Sequence, residues 1–396
     1  MSRTYGIWIL SALFIFATLP MWSAGGQERS VADLGAYEQW QRDAQIGPYQ
    51  PEVEDWNAIY EAAKKEGKVV IYASTSRIFD GAASFEELFP GIQVEAYNLS
   101  GVEILEKINR EAEANIRNVD VILTAAVNST ALDLIERQVV VNYVPTDLMP
   151  LIPLQFREPL LSHRFGSVVM AYSDAAYDEP PITSIWELTT HEWRNKIVIR
   201  DPMRSSESLN WLAAFVLHAD ELAADYQKVF GTPIRLTTAN AGYELIKRLL
   251  NNGMQLRSGS RDVLDSVAQH GQPGGPPVGQ ITSSNYRDVL SGRYQFDILW
   301  DLEPFAGYAY ENSIPMAAFA PHPNAAKLLI KHLLGGSPGE NMIGFDPWHV
   351  PGNFPVRTDI DPPEPFSPII EYNYLYEDPR LFDLIPDVMD FWLANM

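Results

Sequence analysis

The chain has no cysteine at any of its 396 positions. This absence excludes disulfide bonds, thiolate nucleophiles and cysteine metal ligands, and it removes the residue that a bacterial lipoprotein needs for acylation. Positive charge is also scarce, because 29 Lys and Arg stand against 51 Asp and Glu and give a net charge of −22. Since binding to a phosphate backbone needs a basic surface, no nucleic-acid partner is expected.

The sequence also lacks the common motifs of exported hydrolases and metalloproteases. It contains no G-x-S-x-G, Walker A, G-x-G-x-x-G or H-E-x-x-H pattern. Its seven histidines are scattered singly, so a metal site built from histidine pairs is not expected. The stretch HGQPGGPP lacks the lysine and the following helix of a phosphate-binding loop, and we interpret it as a surface loop.

One apolar run stands out, at the N-terminus. Arg3 precedes the stretch GIWILSALFIFATLPMW, and small residues follow at positions 24–26. This order is typical of a cleavable secretory signal, which we assign to residues 1–26. The alternative is a retained membrane anchor, which is disfavoured because Pro20 interrupts a run that should hold about 20 apolar residues to span a bilayer. The sequence therefore predicts an exported periplasmic protein that is not a lipoprotein.

Strand-like and helix-like segments alternate through the rest of the chain. After a polar leader arm at 27–53, we expect regular structure to begin at the helical stretch DWNAIYEAAKKEGK. The continuous Val/Ile runs VVIYAS, VDVIL and IVIR are typical of parallel strands covered on both faces. Ser100 and Glu103 form a capping-box pattern at the start of a helix. The predicted fold class is α/β.

Small or polar residues follow several of the predicted strands. In open α/β sheets, ligands bind outside the carboxyl ends of the strands, where helix N-termini present free N–H groups. The alternative at each position is structural, because a Ser or Thr before a helix serves first as an N-cap worth about 1 kcal/mol. The candidate ligand-binding residues at these ends are Ser74, Thr75, Ser76, Arg77, Thr124, Ala125, Ala126, Arg204, Ser205, Ser206 and Tyr286.

Two groups of side chains indicate ligands of opposite charge. Hydroxyls at helix N-termini beside Arg77 and Arg204 suit an anionic group such as a carboxylate or phosphonate. The stretch WDLEPFAGYAY instead places the rings of Trp300, Tyr308 and Tyr310 near the carboxylates of Asp301 and Glu303, and together these groups could surround a cation. A core role is the structural alternative for these aromatic residues, and a zwitterion could engage both groups.

The stretch from AAKKEGKVVIYASTSRIFDG through NVDVILTAA resembles the extracellular solute-binding proteins of ABC importers, of the group that includes ferric-iron-binding proteins. Similar elements recur at SIWELTTHEWRNKIVIRDPMRSS, PPVGQI, PHPNAAKLLIKHLL and PGNFPVR, so the resemblance extends over residues 55–360. It implies a two-lobed periplasmic-binding-protein fold of type II, with a ligand cleft between lobes joined by crossing strands. It further implies delivery of a small molecule or ion to an ABC permease and ATPase complex in the inner membrane. No catalytic residue and no cofactor are expected, and we expect a monomer.

The resemblance also suggests how the chain is divided. Lobe 1 is expected at 54–165 plus 298–345, lobe 2 at 166–297, and a Pro-rich segment with a helix that packs on the lobes at 346–396. Two crossings, near 163–172 and 287–300, should allow the lobes to close on a ligand.

Ferric-ion members of this group carry a His or acidic residue near the first strand end and adjacent tyrosines at the return crossing. Here residues 74–76 are Ser-Thr-Ser, and Asn285 is followed by one phenol, Tyr286. Tyr286 and Glu303 would be the ligands of a ferric ion, but a hard trivalent ion wants more anionic oxygens or imidazoles. The preferred ligand is therefore an anionic or zwitterionic organic solute, with ferric iron as the alternative. An exported hydrolase or lyase that uses Glu303, Asp301 or a histidine as base is the alternative of another class.

Overall fold

A computed structural model describes residues 35–268, 275–340 and 342–396. The predicted export signal at 1–26 lies outside these ranges. The helices are α1 (Ala36–Asp43), α2 (Trp56–Glu66), α3 (Ile78–Leu88), α4 (Gly101–Glu113), α5 (Ala131–Glu136), α6 (Ser206–Leu217), α7 (Ala219–Phe230), α8 (Ala241–Asn251), α9 (Ser260–Val267), α10 (Arg287–Leu290), α11 (Pro323–Leu333) and α12 (Arg380–Asn395). The strands are β1 (Lys68–Ala73), β2 (Gln93–Asn98), β3 (Val121–Leu123), β4 (Val140–Val141), β5 (Ser162–Tyr172), β6 (Ile197–Arg200), β7 (Gln255–Arg257), β8 (Val278–Thr282), β9 (Asp297–Ile298), β10 (Gly307–Ser313), β11 (Met316–Ala317), β12 (Phe354–Pro355) and β13 (Tyr374–Tyr376).

The first sheet has five strands in the order β2-β1-β3-β11-β4. Strands β2, β1 and β3 are parallel, and β11 returns antiparallel between β3 and β4. Strand β3 is wholly buried, and β1 is buried except at Lys68, as their continuous apolar sequences predict. The carboxyl ends of β1 and β3 therefore lie side by side at one edge of this sheet.

Local sequence signals define the helices that pack on the first sheet. Helix α2 begins after Asp55, whose carboxylate accepts hydrogen bonds from the amides of Asn57 and Ala58, and it ends at Gly67 with a φ of 74°. Helix α4 begins with the predicted capping box of Ser100 and Glu103. Both helix starts are where the sequence predicts them.

The second sheet has the order β13-β10-β5-β8-β6-β7, and β9 and β12 also pair with β5. Strands β6, β7 and β8 are parallel, whereas β5 is antiparallel to both β8 and β10. Apolar residues of α6, α8 and α12 form the core on one face, and α9 packs on the other face through Val263, Leu264 and Val267. The carboxyl ends of β6 and β8 meet at one edge, as in the first sheet.

Strands β5 and β10 run between the two sheets, and we call this antiparallel pair the crossing strands. Their register extends from Gly307 opposite Val169 in the second sheet to Ser313 opposite Ser162. Ser313 then bridges Thr124, the residue after β3 in the first sheet. The first crossing matches the predicted 163–172. The second lies at β10, after the predicted 287–300, because β9 pairs with the far end of β5 instead.

Both ends of the described chain pack against this framework. Helix α1 forms within the stretch predicted to be a leader arm, and Ile46 is buried, so the prediction that regular structure begins at Asp55 is wrong. The C-terminal segment contains a helix, α12, within the predicted range 346–396, and this helix buries Trp392 against the core of α6 and α8. Within the described ranges, no helix is both long and apolar enough to cross a membrane. The proposed lobe boundaries stay a prediction.

Candidate functional site

Four arginines lie close enough to act electrostatically on one another or on Tyr310, where the crossing strands meet the strand ends of the two sheets. They are Arg77 after β1, Arg164 on β5, Arg200 at the end of β6 and Arg287 at the start of α10. Desolvation, together with the positive charge of Arg287, lowers the pKa of Arg77 to about 10. Such mutual repulsion between cations indicates a site that favours negative charge. We call this region the arginine cleft.

Arg164 is the centre of the arginine cleft. Its Nη2 donates to Asn312 Oδ1 at 3.1 Å, and its Nη1 donates to His163 Nδ1 at 3.1 Å. The latter direction follows from the other ring nitrogen, because His163 Nε2 donates to the carbonyl of Leu333 at 2.8 Å. Desolvation and the charge of Arg77 lower the pKa of Arg164 to about 9. Among the described residues, no carboxylate forms an ion pair with this guanidinium.

Arg200 lies beside the N-terminus of α6. Its residue surface is only 8% exposed, and its Nε and Nη2 have no hydrogen-bond partner within the described ranges. Nη1 is 3.7 Å from Glu207 Oε2. Ser205 caps α6 by accepting from the amide of Ser208 at 3.3 Å. Free amides and the helix dipole favour an anion at this point, as do the two guanidinium nitrogens that have no hydrogen-bond partner among the described residues.

The crossing strands supply the floor of the cleft. Tyr310 stands opposite Gly166, and a Cβ atom at position 166 would lie 2.6 Å from the phenol carbon Cζ. The ring can occupy this position only because residue 166 is glycine. Desolvation and the negative charge of Glu207 raise the pKa of Tyr310 to about 12, whereas Arg200 and Arg164 lower it. The phenol therefore stays neutral and can donate a hydrogen bond at physiological pH.

A carboxyl from the C-terminal segment reaches the same floor. Glu377 Oε2 accepts from Asn128 Nδ2 at 2.8 Å and from the amide of Glu311 at 3.2 Å. Desolvation raises the pKa of Glu377 to about 8, with a further contribution from the charges of Glu311 and Glu207. This carboxyl is thus largely protonated at neutral pH when the cleft holds no cation.

The predicted residues after β1 and β3 lie at the first-sheet side of this cleft. Ser74 and Ser76 are exposed, whereas Thr75 Oγ1 accepts from the amide of Arg77 at 3.3 Å. Helix α3 has no side-chain cap, so the structural alternative of an N-cap does not apply to these hydroxyls, and the expectation that they would both cap the helix and face the cleft is wrong in its first part. After β3, Thr124 is buried and accepts from the amide of Ala126 at 3.2 Å, while Ala125 and Ala126 are partly exposed.

The predicted residues after β6 have different roles. Ser205 is the cap described above, which is its structural alternative, and its hydroxyl also donates to Glu207 Oε2 at 2.9 Å. Arg204 and Ser206 are exposed. The buried cation near Ser205 is therefore Arg200, the last residue of β6, and not the predicted Arg204.

Tyr286, Trp300 and Glu303 line a separate cavity of about 490 Å³. The ring of Tyr286 packs edge-on against Trp300 at 6.2 Å, and Trp300 stacks on Tyr372 at 5.6 Å. Glu303 Oε1 is 3.4 Å from Lys228 Nζ. The structure therefore divides the predicted site residues into two sets, because none of the four clustered arginines lines this cavity.

The donor set for a ferric ion is poor. Nowhere in the described part of the chain do three or more His, Asp or Glu side chains form a group that could hold a metal ion. Desolvation and the charges of Asp297 and Asp174 raise the pKa of Tyr286, which opposes the phenolate that a ferric ion prefers. Exposed Asp301 and the Lys228-paired Glu303 share the cavity with Tyr286.

Sequence reasoning missed Arg164, Arg200, Arg287 and Glu377. The first two had a usable signal, since each is the one charged residue among apolar neighbours, in RFGSVVMAY and IVIR. A charge that interrupts a buried strand has to find a partner. Glu377 had no such signal, because its place in the cleft depends on the pairing of β13 with β10.

No family model matches this chain, and no curated protein sequence matches it. Solved structures do share its fold. Iron-bound HitA from Pseudomonas aeruginosa superposes with a TM-score of 0.64 at 14% identity, covering 83% of this chain and 99% of HitA. The ferric binding protein from Campylobacter jejuni gives 0.60 at 17% identity, covering 83% and 99%. The periplasmic binding protein AfuA from Actinobacillus pleuropneumoniae, with bound fructose-6-phosphate, gives 0.62 at 15% identity, covering 83% and 98%.

These neighbours are all binding proteins, and they differ in what they bind. The predicted α/β fold with two sheets and crossing strands is confirmed by their agreement over nearly their whole length. The chain therefore has the two-lobed fold of the ferric-ion-binding and related periplasmic solute-binding proteins.

Proposed function

We propose that this protein is the periplasmic solute-binding component of an ABC importer, that it is not an enzyme, and that it captures a small organic anion in the arginine cleft. The observation that carries the ligand class is Arg164. Its guanidinium is held between the two sheets with a lowered pKa and without a carboxylate partner among the described residues. A desolvated cation of this kind is stabilised by an anion that enters with the ligand.

The other charges of the cleft support an organic anion over a ferric ion. Arg77 and Arg287 add positive charge from two different elements, and Arg200 has two unpaired nitrogens at the N-terminus of α6. A trivalent cation would be repelled by these groups. Ligands that differ as widely as iron and fructose-6-phosphate occur among proteins of this fold, so the fold itself is compatible with either.

A ligand panel tests the proposal directly. Ferric citrate, phosphonates, sugar phosphates, polyamines and thiamine are each added to the purified protein, and the melting temperature and native mass spectrum are recorded. A ligand at a hundred times its Kd stabilises the folded state by about 2.7 kcal/mol, which is readily seen as a thermal shift. We expect organic anions to raise the melting temperature. A shift with ferric citrate that free citrate does not produce would contradict the ligand class.

Substitution of Arg164 separates binding from folding. We expect Arg164→Gln to weaken binding of the anion at least about tenfold, because a hydrogen bond to a charged group contributes about 1.5–3 kcal/mol. Without ligand, the same variant should melt no lower than the wild type, because an uncompensated charge has been removed. Arg110→Gln is the matched control, since Arg110 is 74% exposed on α4. Unchanged affinity in Arg164→Gln would count against the arginine cleft as the site.

A further inference from the structure

Strand β13 places Glu377 on the same face of the second sheet as the arginine cleft. Residues that stand opposite each other in a sheet share a face, and so do residues two apart along a strand. Arg164 stands opposite Asn312 and Gly166 opposite Tyr310, so this face of the crossing strands carries Arg164 and Tyr310. Leu375 pairs with Tyr308 on that face, and Glu377 lies two residues beyond Leu375.

Hydrogen bonds fix the carboxyl of Glu377 through one oxygen. Oε2 accepts from Asn128 Nδ2 and from the amide of Glu311, and Asn128 is itself held by the hydroxyl of Ser313 at 2.6 Å. The main-chain amide of Glu377 donates to Ala309 at 3.2 Å. The other oxygen, Oε1, has no hydrogen-bond partner among the described residues, and Glu377 is partly exposed. The carboxyl is therefore rigidly placed with one oxygen available to a ligand.

The charges around Glu377 are negative. Glu207 on α6 and Glu311 on β10 both raise the pKa of Glu377, and the phenols of Tyr308 and Tyr310 lie in the same field. Neither Glu377 nor Glu311 forms an ion pair with any Lys or Arg of the described chain. Arg164 and Arg200 have the opposite effect on Tyr310, because their positive charges lower the pKa of its phenol. The floor of the cleft thus presents cations and carboxyls around one phenol, which matches a ligand with both charges.

We propose that Glu377 is a specificity-determining residue of the solute site and that its carboxylate binds an ammonium group carried by the organic anion that the arginines hold. This inference rests on the proposed function and narrows the ligand to an amino-substituted phosphonate, sulfonate or carboxylate. It assigns a binding role to the C-terminal segment, which supplies Glu377 after β13. A charge-assisted contact in a partly desolvated site gives the selectivity.

Binding of an ammonium group also moves a proton. The carboxyl of Glu377 is largely protonated near neutral pH, whereas it must be ionised to pair with an ammonium group. Capture of an aminated ligand therefore releases up to about one proton per site. A ligand without an amino group leaves the carboxyl protonated and releases none.

Matched ligand pairs test the inference. The pairs are 2-aminoethylphosphonate with ethylphosphonate, taurine with ethanesulfonate, and β-alanine with propionate, measured by isothermal titration calorimetry at about pH 7.5 in two buffers of different ionisation enthalpy. We expect the aminated member of at least one pair to bind about tenfold more tightly and to release a proton. In Glu377→Gln the preference for the aminated member and the proton release should both disappear. Asp390→Asn, an exposed change on α12, is the control and should keep both.

The outcomes distinguish this inference from the proposed function. If amine-free anions bind as tightly as their aminated partners, or if Glu377→Gln keeps the preference, the inference is wrong and the solute-binding proposal stands. If no member of any pair and no anion of the wider panel binds, the proposed function fails and the inference fails with it. Circular dichroism of Glu377→Gln shows whether a loss of preference has the trivial cause of misfolding.

Discussion

Glu377 and Arg164 are ionisable residues that sit in the same cleft without a salt-bridge partner among the described residues. Their charge states at neutral pH differ. Arg164 remains charged because even its lowered pKa of about 9 lies above physiological pH. Glu377 is largely neutral, because its pKa is raised to about 8 and its carboxyl keeps the proton below that pH. Each is therefore a cost to the ligand-free protein that a ligand of the right charge removes.

The raised pKa of Glu377 predicts a specific dependence of stability on pH. In the unfolded chain the carboxyl titrates near its usual 4.5, whereas in the folded protein it titrates near 8. The folded state therefore binds more protons than the unfolded state between these values, and the free energy of unfolding falls as pH rises through them. The stabilising contribution is complete below pH 4.5 and is lost above 8.

We expect Glu377→Gln to remove this part of the pH dependence. The free energy of unfolding of the variant, relative to that of the wild type, should rise by on the order of 1–2 kcal/mol from pH 5 to pH 8. This figure is reduced because solvent reaches the carboxyl. Urea unfolding at both pH values measures it, with Asp390→Asn as control. Glu311 and Asp225 also have raised pKa values and remain in the variant, so only the difference between the proteins is diagnostic. Parallel pH profiles would show that Glu377 titrates normally.

At this scale the sequence predicted the position of some residues of the cleft, and their role in binding stays a prediction. Arg77, Thr124 and Ser205 lie at the cleft because the strand-end rule places them there. The rule also selected Arg204, which is exposed, because it cannot tell which side chain near a strand end turns inward. Trp300 and Glu303 were predicted as ligand-binding residues only because a ring and a carboxylate can bind a cation, and they line another cavity.

At the scale of elements, the crossing strands set the position of Tyr310. Its ring lies over Gly166 in the opposite strand, so close that a methyl group at position 166 would be 2.6 Å from Cζ and from the phenol oxygen. Gly166 and Tyr310 both lie on strands, so the phenol between Arg164 and Glu377 is positioned by paired strands and not by a loop. Such a contact is sensitive to small changes because added volume in a packed site forces neighbours to move.

Gly166→Ala should therefore displace Tyr310 and weaken ligand binding. We expect the free energies of unfolding and of ligand binding to fall by about 1–3 kcal/mol in total. Both should change because the displaced ring can move partly into the cleft. Isothermal titration calorimetry measures the loss in binding, and thermal melting measures the loss in stability. Gly259→Ala is the control, since a Cβ at position 259 would have no atom within 4 Å. Wild-type affinity in Gly166→Ala would mean that the ring of Tyr310 does not contact the ligand.

The alternation of helices and strands was predictable because it depends on local signals. The capping box at Ser100, the glycine after α2 and the apolar runs of β1, β5 and β6 each specify one element. Strand β10 was not predicted as a crossing strand, since GYAYENS reads equally well as an aromatic cluster. Its assignment requires the antiparallel register with β5, which is a long-range contact.

At the scale of the whole molecule, backbone pairing and hydrogen bonds link the two sheets at the cleft. The crossing strands join them, and Ser313 bridges Thr124 at the first-sheet end. The C-terminal segment adds one further tie, because Glu377 follows β13 in the second sheet and accepts from Asn128, which follows β3 in the first. Motion of one sheet relative to the other would therefore bend the crossing strands and act on the residues that line the cleft.

Ligand binding should close the cleft. An anion that contacts Arg77 from the first sheet and Arg200 from the second gains both sets of contacts only when the sheets approach, so it binds the closed form more tightly and shifts the population toward it. We expect the radius of gyration from small-angle X-ray scattering to fall when a binding anion from the panel is added. Arg164→Gln should show no change at the same ligand concentration, whereas Arg110→Gln should close like the wild type. A scattering curve that stays the same while calorimetry shows saturated binding would mean that the ligand occupies a cleft that is already closed, and the crossing strands would then be a rigid connection instead of a hinge.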